Sequence, residues 1–533
     1  MSRFSFLIFA LTIMISQMGA QVIVPDFLVN DAAQNTQGVG RTAIAVAPNG
    51  NFAIAWQDFN EYGIPIPAMP RVAVQLFSAN VVPIGPLNLF NGETRAGIIY
   101  LDDYLTGHID LAFMPNNILL VAVQHEGLFD NLVTQVWSWE TGIGAVSPTG
   151  QIIDLLTGTG VIFWLFPFDL VDNGNLRLAM SPTGNFWGTL NGPSYSTDFS
   201  AVLIQQFDSN LNYVGNYFTP HPNDPGPNAN HVYPDIATNG NILLAVWQDG
   251  RQDPNYDVTA QFYGGGVAIG GNQAVNSGDP ANTYNLWPSV AMNSAGNSVI
   301  VWVDSRLGSG EIFGQRFNAA GQPVGGNFQI SAGGGAIPLF YRPEVAMRSD
   351  GSFMVVWTDS LSGISGIDAL RARGRQFDAN GNPTTAPILL PNQPVASGHP
   401  NIATNGVHYY CSWLDVRINN TTPNVYAKVL AEITDIEEPI SAAGIPTTSQ
   451  LFQNYPNPFN PVTAIGFQLP ANGFVTLKIY NNLGEEVVTL VSQKLAAGKY
   501  KYEWDANGLA SGVYLCRLQI NEFVQVRKML LVR

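Results

Sequence analysis

The chain has 533 residues, of which only 12% are charged, and its formal net charge is −16. A hydrophobic fraction of 46% is enough for a large core and excludes a disordered chain. An acidic protein without a basic patch repels phosphate backbones, so we expect no nucleic-acid partner. The 53 glycines, 35 prolines and 11% aromatic residues indicate short strands joined by many turns.

The first predicted element is a signal peptide at residues 1–20. Arg3 precedes the apolar run 4–15, which is too short to span a bilayer and has the length of a signal-peptide core. The small residue Ala20 follows shortly after. We therefore expect cleavage near Ala20 and export of the mature chain.

A repeated segment fills residues 21–433. One copy reads PSVAMNSAGNSVIVWVD at 288–304, and related segments occur at 42–58, 110–127, 177–192, 234–251, 343–359 and 400–417. The tryptophans of the last four copies, Trp247, Trp302, Trp357 and Trp413, are separated by 55, 55 and 56 residues. Such a period is the signature of a repeat architecture rather than of several unrelated domains.

Each copy predicts four short antiparallel strands. A strand beginning near a proline is followed by a turn, a strand ending in Trp, a strand with a Gln-x-Phe signature and a short fourth strand. Four such strands per repeat are typical of propeller blades. The last copy lacks its fourth strand, and residues 25–30 resemble the missing piece. The sequence therefore predicts an all-β, seven-bladed β-propeller at 21–433, closed by its N-terminal strand.

An aspartate recurs two positions after the tryptophan, as Asp58, Asp249, Asp304, Asp359 and Asp415. A catalytic residue needs to occur once, whereas a scaffold residue occurs once per repeat. We therefore expect these aspartates to cap the hairpin and to pair with Arg251, Arg306 and Arg417 where an arginine follows. The alternative is a Ca²⁺ site, because Asp249, Asp253, Asn255 and Asp257 place oxygen ligands in one loop. We expect no other cofactor.

The residue before the proline that opens a repeat differs from copy to copy. It is Tyr233, Trp287, Arg342 or His399, and the same loops hold Asp102, Asp103, Tyr104, His231 and Tyr341. These loops are expected to meet at one mouth of the propeller. Aromatic side chains with a few polar partners suit a carbohydrate or peptide ligand. The alternative is that the aromatic side chains pack on the next blade.

The sequence holds no catalytic motif. It has no His-Glu-x-x-His helix, no G-x-S-x-G elbow and no sialidase-type Asp box. The prediction is therefore a binding or adhesion module. The alternative is a secreted glycan-active hydrolase that uses carboxylates at the propeller mouth, a choice that depends on geometry.

The composition changes after a predicted linker at 434–450. Residues 451–533 alternate apolar and polar positions and predict a small Ig-like β-sandwich. The characteristic residues are Tyr455, Pro456, Asn457, Pro458, Phe459, Asn460 and Pro461, followed by Gly512, Tyr514 and Lys528. Together they resemble the C-terminal sorting domain of type IX secretion cargo.

That resemblance implies a route and a set of partners. It implies a Gram-negative cell, passage through the periplasm and recognition of the tail by the type IX secretion machinery in the outer membrane. It also implies that the protein is either released or fixed to surface lipopolysaccharide.

Overall fold

The computed structural model of this protein divides into two compact units, residues 1–433 and 434–533. The structure describes residues 22–30, 39–58, 71–90, 109–131, 134–153, 163–164, 176–193, 200–221, 230–251, 255–280, 283–331, 337–338, 341–361, 364, 366–392, 394–418, 422–431, 449–452, 454, 462–470, 473–482, 484–495, 498–506, 509–520 and 523–532. The predicted signal peptide and most of the predicted linker lie outside these ranges.

The described residues are almost entirely strand and turn, which confirms the predicted all-β class. The strands of the first unit are β1 (Val22–Leu28), β2 (Val39–Val46), β3 (Phe52–Asp58), β4 (Arg71–Phe77), β5 (Pro83–Phe90), β6 (Ile109–Phe113), β7 (Leu119–Asn131), β8 (Thr134–Val146), β9 (Ile152–Ile153), β10 (Phe163–Trp164), β11 (Arg177–Met180), β12 (Phe186–Pro193), β13 (Ser200–Phe207), β14 (Tyr213–Phe218), β15 (His231–Thr238), β16 (Ile242–Asp249), β17 (Asp257–Gly264), β18 (Val267–Ala274), β19 (Asn285–Met292), β20 (Ser298–Asp304), β21 (Glu311–Phe317), β22 (Pro323–Gln329), β23 (Glu344–Met347), β24 (Phe353–Ser360), β25 (Leu370–Phe377), β26 (Ile388–Leu389), β27 (Ser397–Thr404), β28 (His408–Asp415) and β29 (Asn424–Ala431). A 3₁₀ turn at Ile367–Ala369 is the only helical element in the described part. No helix there has the length and apolar character that crossing a bilayer would need.

These strands form small antiparallel sheets, most of them with four strands. The sheets of the described first unit are β2-β3-β4-β5, β6-β7-β8 with β9 and β10 on β8, β11-β12-β13-β14, β15-β16-β17-β18, β19-β20-β21-β22, β23-β24-β25-β26 and β27-β28-β29-β1. Each sheet is built from consecutive strands of the chain except the last, which takes its outer strand from the start of the chain. The arrangement is propeller-like, with one sheet for each copy of the repeat.

The last sheet joins residues from the two ends of the first unit. β1 pairs antiparallel with β29, and Phe27 is the register partner of Ala427. Beyond β1, the amide of Val29 donates to the Val425 carbonyl at 2.9 Å, and the side chain of Asn30 donates to Asn424 Oδ1 at 3.1 Å. The backbone groups of β29 that would otherwise form a free sheet edge are thereby paired.

Neighbouring sheets pack face to face through apolar cores. Alternate residues of β20 enter opposite cores: Val299, Val301 and Val303 pack towards β24, whereas Ile300 and Trp302 pack towards β16 and β17. A strand with both faces covered reads as a nearly continuous apolar run, which is why the second strand of each repeat is so hydrophobic. Five tryptophans at this position are fully buried, as predicted: Trp56, Trp247, Trp302, Trp357 and Trp413.

The first strands of successive sheets lie side by side. β2 contacts β6, β6 contacts β11, and the series continues through β15, β19, β23 and β27, which contacts β2 again. The fourth strands lie on the solvent side, and most residues of β18 are exposed.

The second unit contains two antiparallel sheets with a common apolar core. Its strands are β30 (Gln450–Leu451), β31 (Val462–Leu469), β32 (Gly473–Tyr480), β33 (Glu486–Leu495), β34 (Gly498–Asp505), β35 (Gly512–Ile520) and β36 (Phe523–Leu531). The sheets are β30-β31-β34 and β33-β32-β35-β36. Phe467 and Trp504 of the first sheet pack with Leu477, Cys516 and Met529 of the second.

Candidate functional site

The first strands of three repeats share a β-bulge at the residue that precedes the proline, which is one of the predicted ligand-binding positions. Tyr233, Trp287 and His399 adopt the left-handed conformation, with φ of 55°, 58° and 50°. Each precedes a proline and sits at a register shift in its strand. Residues before proline favour extended backbone, and side chains other than glycine rarely adopt positive φ. The same strained bulge therefore occurs three times, and each time it changes the direction of one large side chain.

A second set of side chains occupies one register position of the first strands. Each is paired with the residue that precedes the tryptophan position of the second strand. The set is Ala43, Asp110, Arg177, Asp235, Ser289, Glu344 and Asn401. Because the first strands lie side by side, these side chains from different repeats come together.

A buried ionic network joins this set across the unit. Arg177 Nη2 donates to Glu344 Oε1 at 2.6 Å, and Arg177 Nε lies 3.9 Å from Asp235 Oδ1. Arg342 Nη2 lies 2.8 Å from Asp235 Oδ2, and Arg342 Nε lies 3.5 Å from Glu344 Oε1. Ser289 donates to the other Glu344 oxygen at 3.2 Å. Two arginines and two carboxylates from three separate repeats thus hold one another.

Two of the carboxylates are also tied to the backbone of the next sheet. Asp110 Oδ2 accepts a hydrogen bond from the Leu178 amide at 2.7 Å, and Asp235 Oδ2 accepts one from the Val290 amide at 2.9 Å. These two hydrogen bonds hold adjacent first strands in position, and the carboxylates also contribute negative charge to the network.

Burial and neighbouring charge perturb the protonation of this network. Burial raises the pKa of Asp110 to about 6, and the positive charge of Arg177 offsets only part of that effect. Burial alone would lower the pKa of Arg177, but the negative charges of Glu344, Asp235 and Asp110 raise it above its ordinary value. Burial, followed by the positive charge of Arg177, lowers the pKa of Arg342.

A cavity of about 90 Å³ lies beside this network. Its lining combines charged and aromatic side chains with strand backbone: Arg41, Thr42, Ile109, Arg177, Trp287, Tyr341, Arg342, Glu344, His399, Pro400 and Asn401. A second cavity of about 570 Å³ shares Arg41, Tyr341 and His399 with the first and extends towards Ser397 and Asp415. The two cavities together offer a concave, partly apolar surface with a few polar groups, which is the usual form of a small-molecule site.

The aromatic groups beside the cavity contact one another in pairs. Tyr233 lies against Trp287 with ring centroids 3.9 Å apart, and Tyr341 lies against His399 with ring centroids 4.8 Å apart. The His399 side chain remains open to solvent, yet the surrounding protein and then the positive charge of Arg41 lower its pKa to about 4. His399 is therefore a neutral imidazole at neutral pH.

The predicted ligand-binding residues fall into three groups. Trp287, Tyr341, Arg342 and His399 line the small cavity, and Tyr233 packs on Trp287. His231 lies apart from them: it is buried, stacks on His221 at 3.8 Å and faces Asp249. Asp102, Asp103 and Tyr104 are outside the described residues.

Several residues of the ionic network and of the cavity lining were not anticipated from the sequence. Asp110, Arg177, Asp235 and Glu344 differ in charge at a position where the flanking pattern repeats, and that variation was the available signal. Arg41 occupies the same position as Trp287 and Arg342, but its repeat has Thr42 where the others have proline. Without the proline, the position was not recognised.

The recurring aspartate forms the predicted structural pairs. Asp304 Oδ2 accepts from Trp302 Nε1 at 2.9 Å and from Arg306 Nη2 at 2.6 Å, and its other oxygen accepts from the Arg306 amide at 2.8 Å. Arg251 and Arg417 contact Asp249 and Asp415 in the same way, with Trp247 and Trp413 as the indole donors. Asp359 differs, because it pairs with Arg373 across the hairpin.

The proposed calcium ligands are partly engaged elsewhere. Asp249 is bonded to Trp247 and Arg251, and Asp257 Oδ1 accepts from Asn276 at 2.8 Å. Asp253 is not among the described residues. Within the described ranges no group of three or more His, Cys, Asp or Glu side chains is placed to hold a metal ion.

In the second unit, three of the motif residues can be located. Gly512 begins β35, Lys528 is exposed on β36, and the buried Tyr514 donates its hydroxyl to the Ala510 carbonyl at 2.8 Å. The segment 455–461, which holds the rest of the motif, lies outside the part that the structure describes.

Residues 453–532 match the family model of the secretion system C-terminal sorting domain. The tail is therefore a type IX secretion sorting domain, as its motifs predict. No curated protein matches the chain.

Among solved structures, the chain is similar to an α-L-arabinanase of Penicillium chrysogenum, with 12% identity, a TM-score of 0.38, and 78% of this chain and 98% of that chain covered. It is also similar to an α-L-arabinofuranosidase from Fusarium graminearum, with 11% identity, a TM-score of 0.41, and coverage of 78% and 98%. A polysaccharide lyase described as an ulvan lyase gives 10% identity, a TM-score of 0.44, and coverage of 78% and 96%. Likeness at this level says nothing about activity.

Proposed function

We propose that the first unit is a seven-bladed β-propeller closed by β1, and that its central cavity binds a small ligand outside the cell. The blade count is supported by the seven sheets among the described residues and by the first strands, whose contacts run from β2 round to β27 and back to β2. The second unit, with two sheets over one core, is proposed to be Ig-like.

The sorting domain indicates a secreted or cell-surface protein that interacts with the type IX secretion machinery. We further propose that residues 1–20 are a signal peptide cleaved near Ala20 in a Gram-negative cell. On this view the mature chain crosses the periplasm and is then released or attached to surface lipopolysaccharide.

One observation carries the binding role. Arg41, Trp287, Arg342 and His399 come from four repeats, occupy the same repeat position and all line one cavity. Two of them, Trp287 and His399, hold strained backbone conformations. A scaffold residue would be the same in each repeat, whereas these side chains differ in size, charge and hydrogen-bonding capacity. Strain retained at a cavity wall is common where a protein presents side chains to a ligand.

A direct binding experiment tests this proposal. The mature protein and a Trp287→Ala variant are applied to a glycan and peptide array, beside a panel of glycoside-hydrolase substrates. Binding by the mature protein that is lost in the variant, with no turnover, supports a binding module. An array that shows no ligand for the mature protein would contradict the proposal.

A secreted glycan-active hydrolase remains the second candidate, and one observation favours it. Asp110, with a pKa raised to about 6, and Glu344, which lines the cavity, both lie close to Arg177. A pair of carboxyl groups, one of them with a raised pKa, is the usual acid and base of glycoside cleavage. Turnover by the mature protein that is lost in Glu344→Gln would identify it as an enzyme.

A further inference from the structure

Arg342 is a buried cation with hydrogen-bonding capacity that the described protein does not use. Its side chain is 9% exposed, and it lines the small cavity. Asp235 and Glu344 lie within ion-pair distance, but no described residue accepts a hydrogen bond from its Nε, Nη1 or Nη2. A guanidinium group carries five N–H donors in a rigid fork, and an unsatisfied buried donor is costly. Such a group is a reason to look for a missing acceptor.

The charges that face the cavity favour an anion. Three guanidinium groups line it, from Arg41, Arg177 and Arg342, against the single carboxylate of Glu344. The other two carboxylates of the network, Asp110 and Asp235, are not among the lining residues and are bonded to strand amides of the next sheet. The cavity surface therefore carries an excess of positive charge, although the network as a whole is closer to balance.

The size and walls of the cavity limit what the anion is attached to. The cavity volume of about 90 Å³ is several times the roughly 10–15 Å³ that one water molecule needs, so the cavity admits a small charged group such as a carboxylate. Trp287 and Tyr341 supply flat apolar walls beside the arginines. The adjoining cavity of about 570 Å³ gives room for the remainder of a larger molecule.

We propose that this cavity is a carboxylate-binding subsite, anchored by Arg342, and that its ligand is an acidic sugar whose ring lies against Trp287 and Tyr341. A planar carboxylate matches the fork of a guanidinium group in a bidentate contact. Aromatic side chains provide the apolar face that a sugar ring needs. This inference rests on the proposed binding role of the cavity and names the chemical class of the ligand.

Calorimetry on the mature protein tests the inference with paired ligands. Glucuronate and galacturonate are compared with glucose and galactose, which lack the carboxylate, and with glucose 6-sulfate, which carries a different anion. We expect measurable binding of at least one uronate and affinity at least about 30-fold weaker for its neutral partner, the usual loss when a buried charge is left without its partner. Binding that weakens with added salt is a further expected result.

Two variants locate the contact. Arg342→Gln is expected to bind the uronate about 30-fold more weakly or worse, while Arg342→Lys, which keeps the charge and loses the fork, recovers part of the affinity. Arg316→Gln is the matched control, because Arg316 contacts the Ala379 carbonyl and does not line the cavity. The ligand comparison needs no variant and holds even if Arg342→Gln does not fold.

The outcomes separate this inference from the broader proposal. Equal affinity for uronate and neutral sugar, or tighter binding of glucose 6-sulfate than of either uronate, would overturn the carboxylate assignment and leave a binding cavity. Wild-type affinity in a folded Arg342→Gln protein would overturn the role of Arg342. Failure of every sugar, charged or neutral, to bind would overturn the inference, whereas the proposed binding function would be overturned only if the glycan and peptide array also showed no ligand.

Discussion

Arg177 donates a hydrogen bond to Glu344 at 2.6 Å, although 167 residues separate them in the chain. The contact exists because the first strands of the repeats lie side by side and bring one register position of each to the same place. It links repeats that are not consecutive. The charged network can therefore form only when the sheets that contribute to it are assembled in the first unit.

Arg177→Met is expected to destabilise the first unit. The arginine side chain is 10% exposed, and its loss leaves Glu344 and Asp235 without a main cationic partner. Breaking a buried ion pair in this way costs roughly 3–5 kcal/mol. The free energy of unfolding of both proteins, measured by urea denaturation, checks this expectation.

The control for that variant is Lys478→Met in the second unit. Lys478 pairs with Glu486 at 2.8 Å, but the two side chains are 31% and 42% exposed. We expect little change in stability, because exposed ion pairs contribute little. An Arg177→Met protein as stable as the Lys478→Met protein would show that the buried network does not stabilise the fold.

The tryptophan–aspartate pair gives a second prediction. Trp302 is fully buried, and its indole N–H lies within hydrogen-bond distance of Asp304 at 2.9 Å and Asn285 at 3.1 Å. Trp302→Ala is expected to cost roughly 3–5 kcal/mol, the range for emptying a large aromatic site. Thermal and chemical unfolding of the variant measure this cost.

Trp357 provides a matched comparison for the hydrogen bonds. It is equally buried, but its indole nitrogen has no hydrogen-bond partner among the described residues. Trp302→Phe should therefore destabilise by about 1–3 kcal/mol more than Trp357→Phe, because it removes the buried hydrogen bonds to Asp304 and Asn285. Equal losses in the two variants would mean that packing alone accounts for the tryptophans.

The raised pKa of Asp110 predicts that the stability of the first unit depends on pH. Its pKa is raised from 3.8 to about 6 in the folded protein, so the folded state binds the proton more tightly than the unfolded state does. The resulting stabilisation is complete below about pH 4 and is lost as the pH rises through 6. Two pKa units correspond to roughly 3 kcal/mol at most.

His399 titrates with the opposite sign over a similar range. Its pKa is lowered to about 4, so its contribution is complete above pH 6.5 and is lost as the pH falls through 4. The difference between the wild-type protein and Asp110→Asn isolates the aspartate. We expect Asp110→Asn to be relatively more stable at pH 8 than at pH 4, and a difference that does not change with pH would contradict the raised pKa.

The sorting domain should be separable from the first unit. Deleting residues 450–533 removes every described strand of the second unit and leaves the β1–β29 pairing intact. We expect a folded first unit that accumulates in the periplasm of a host with type IX secretion. Cell fractionation and near-UV circular dichroism measure the two properties, and wild-type levels of the truncated protein in the medium would contradict the prediction.

How much the sequence predicts depends on which contacts are local. The burial of Trp302 and the pairing of Asp304 with Arg306 were predictable, because the aspartate and the arginine are two positions apart and the tryptophan and the aspartate recur with the repeat. The second strands were predictable for the same reason, since coverage on both faces leaves a continuous apolar run.

The ionic network was not predictable in the same way. The variation at Asp110, Arg177 and Glu344 is visible in aligned repeats, but no local pattern says which of them meet. Their pairing depends on the curvature that accumulates over several sheets. For His231 the local pattern was misleading. Its place two residues before Tyr233 suggested that it lines the cavity, but it is the register partner of Asp249 and is buried against that residue.

The pairing of β1 with β29 also imposes an order on folding. Residues made near the start of the chain must wait for a partner that is synthesised some 400 residues later, as the contact between Asn30 and Asn424 shows. Closing so long a loop costs entropy before its contacts return any energy. The earlier sheets, whose strands are consecutive, can form as they emerge. The last sheet can therefore be completed only after β29, the final strand of the first unit, has been made.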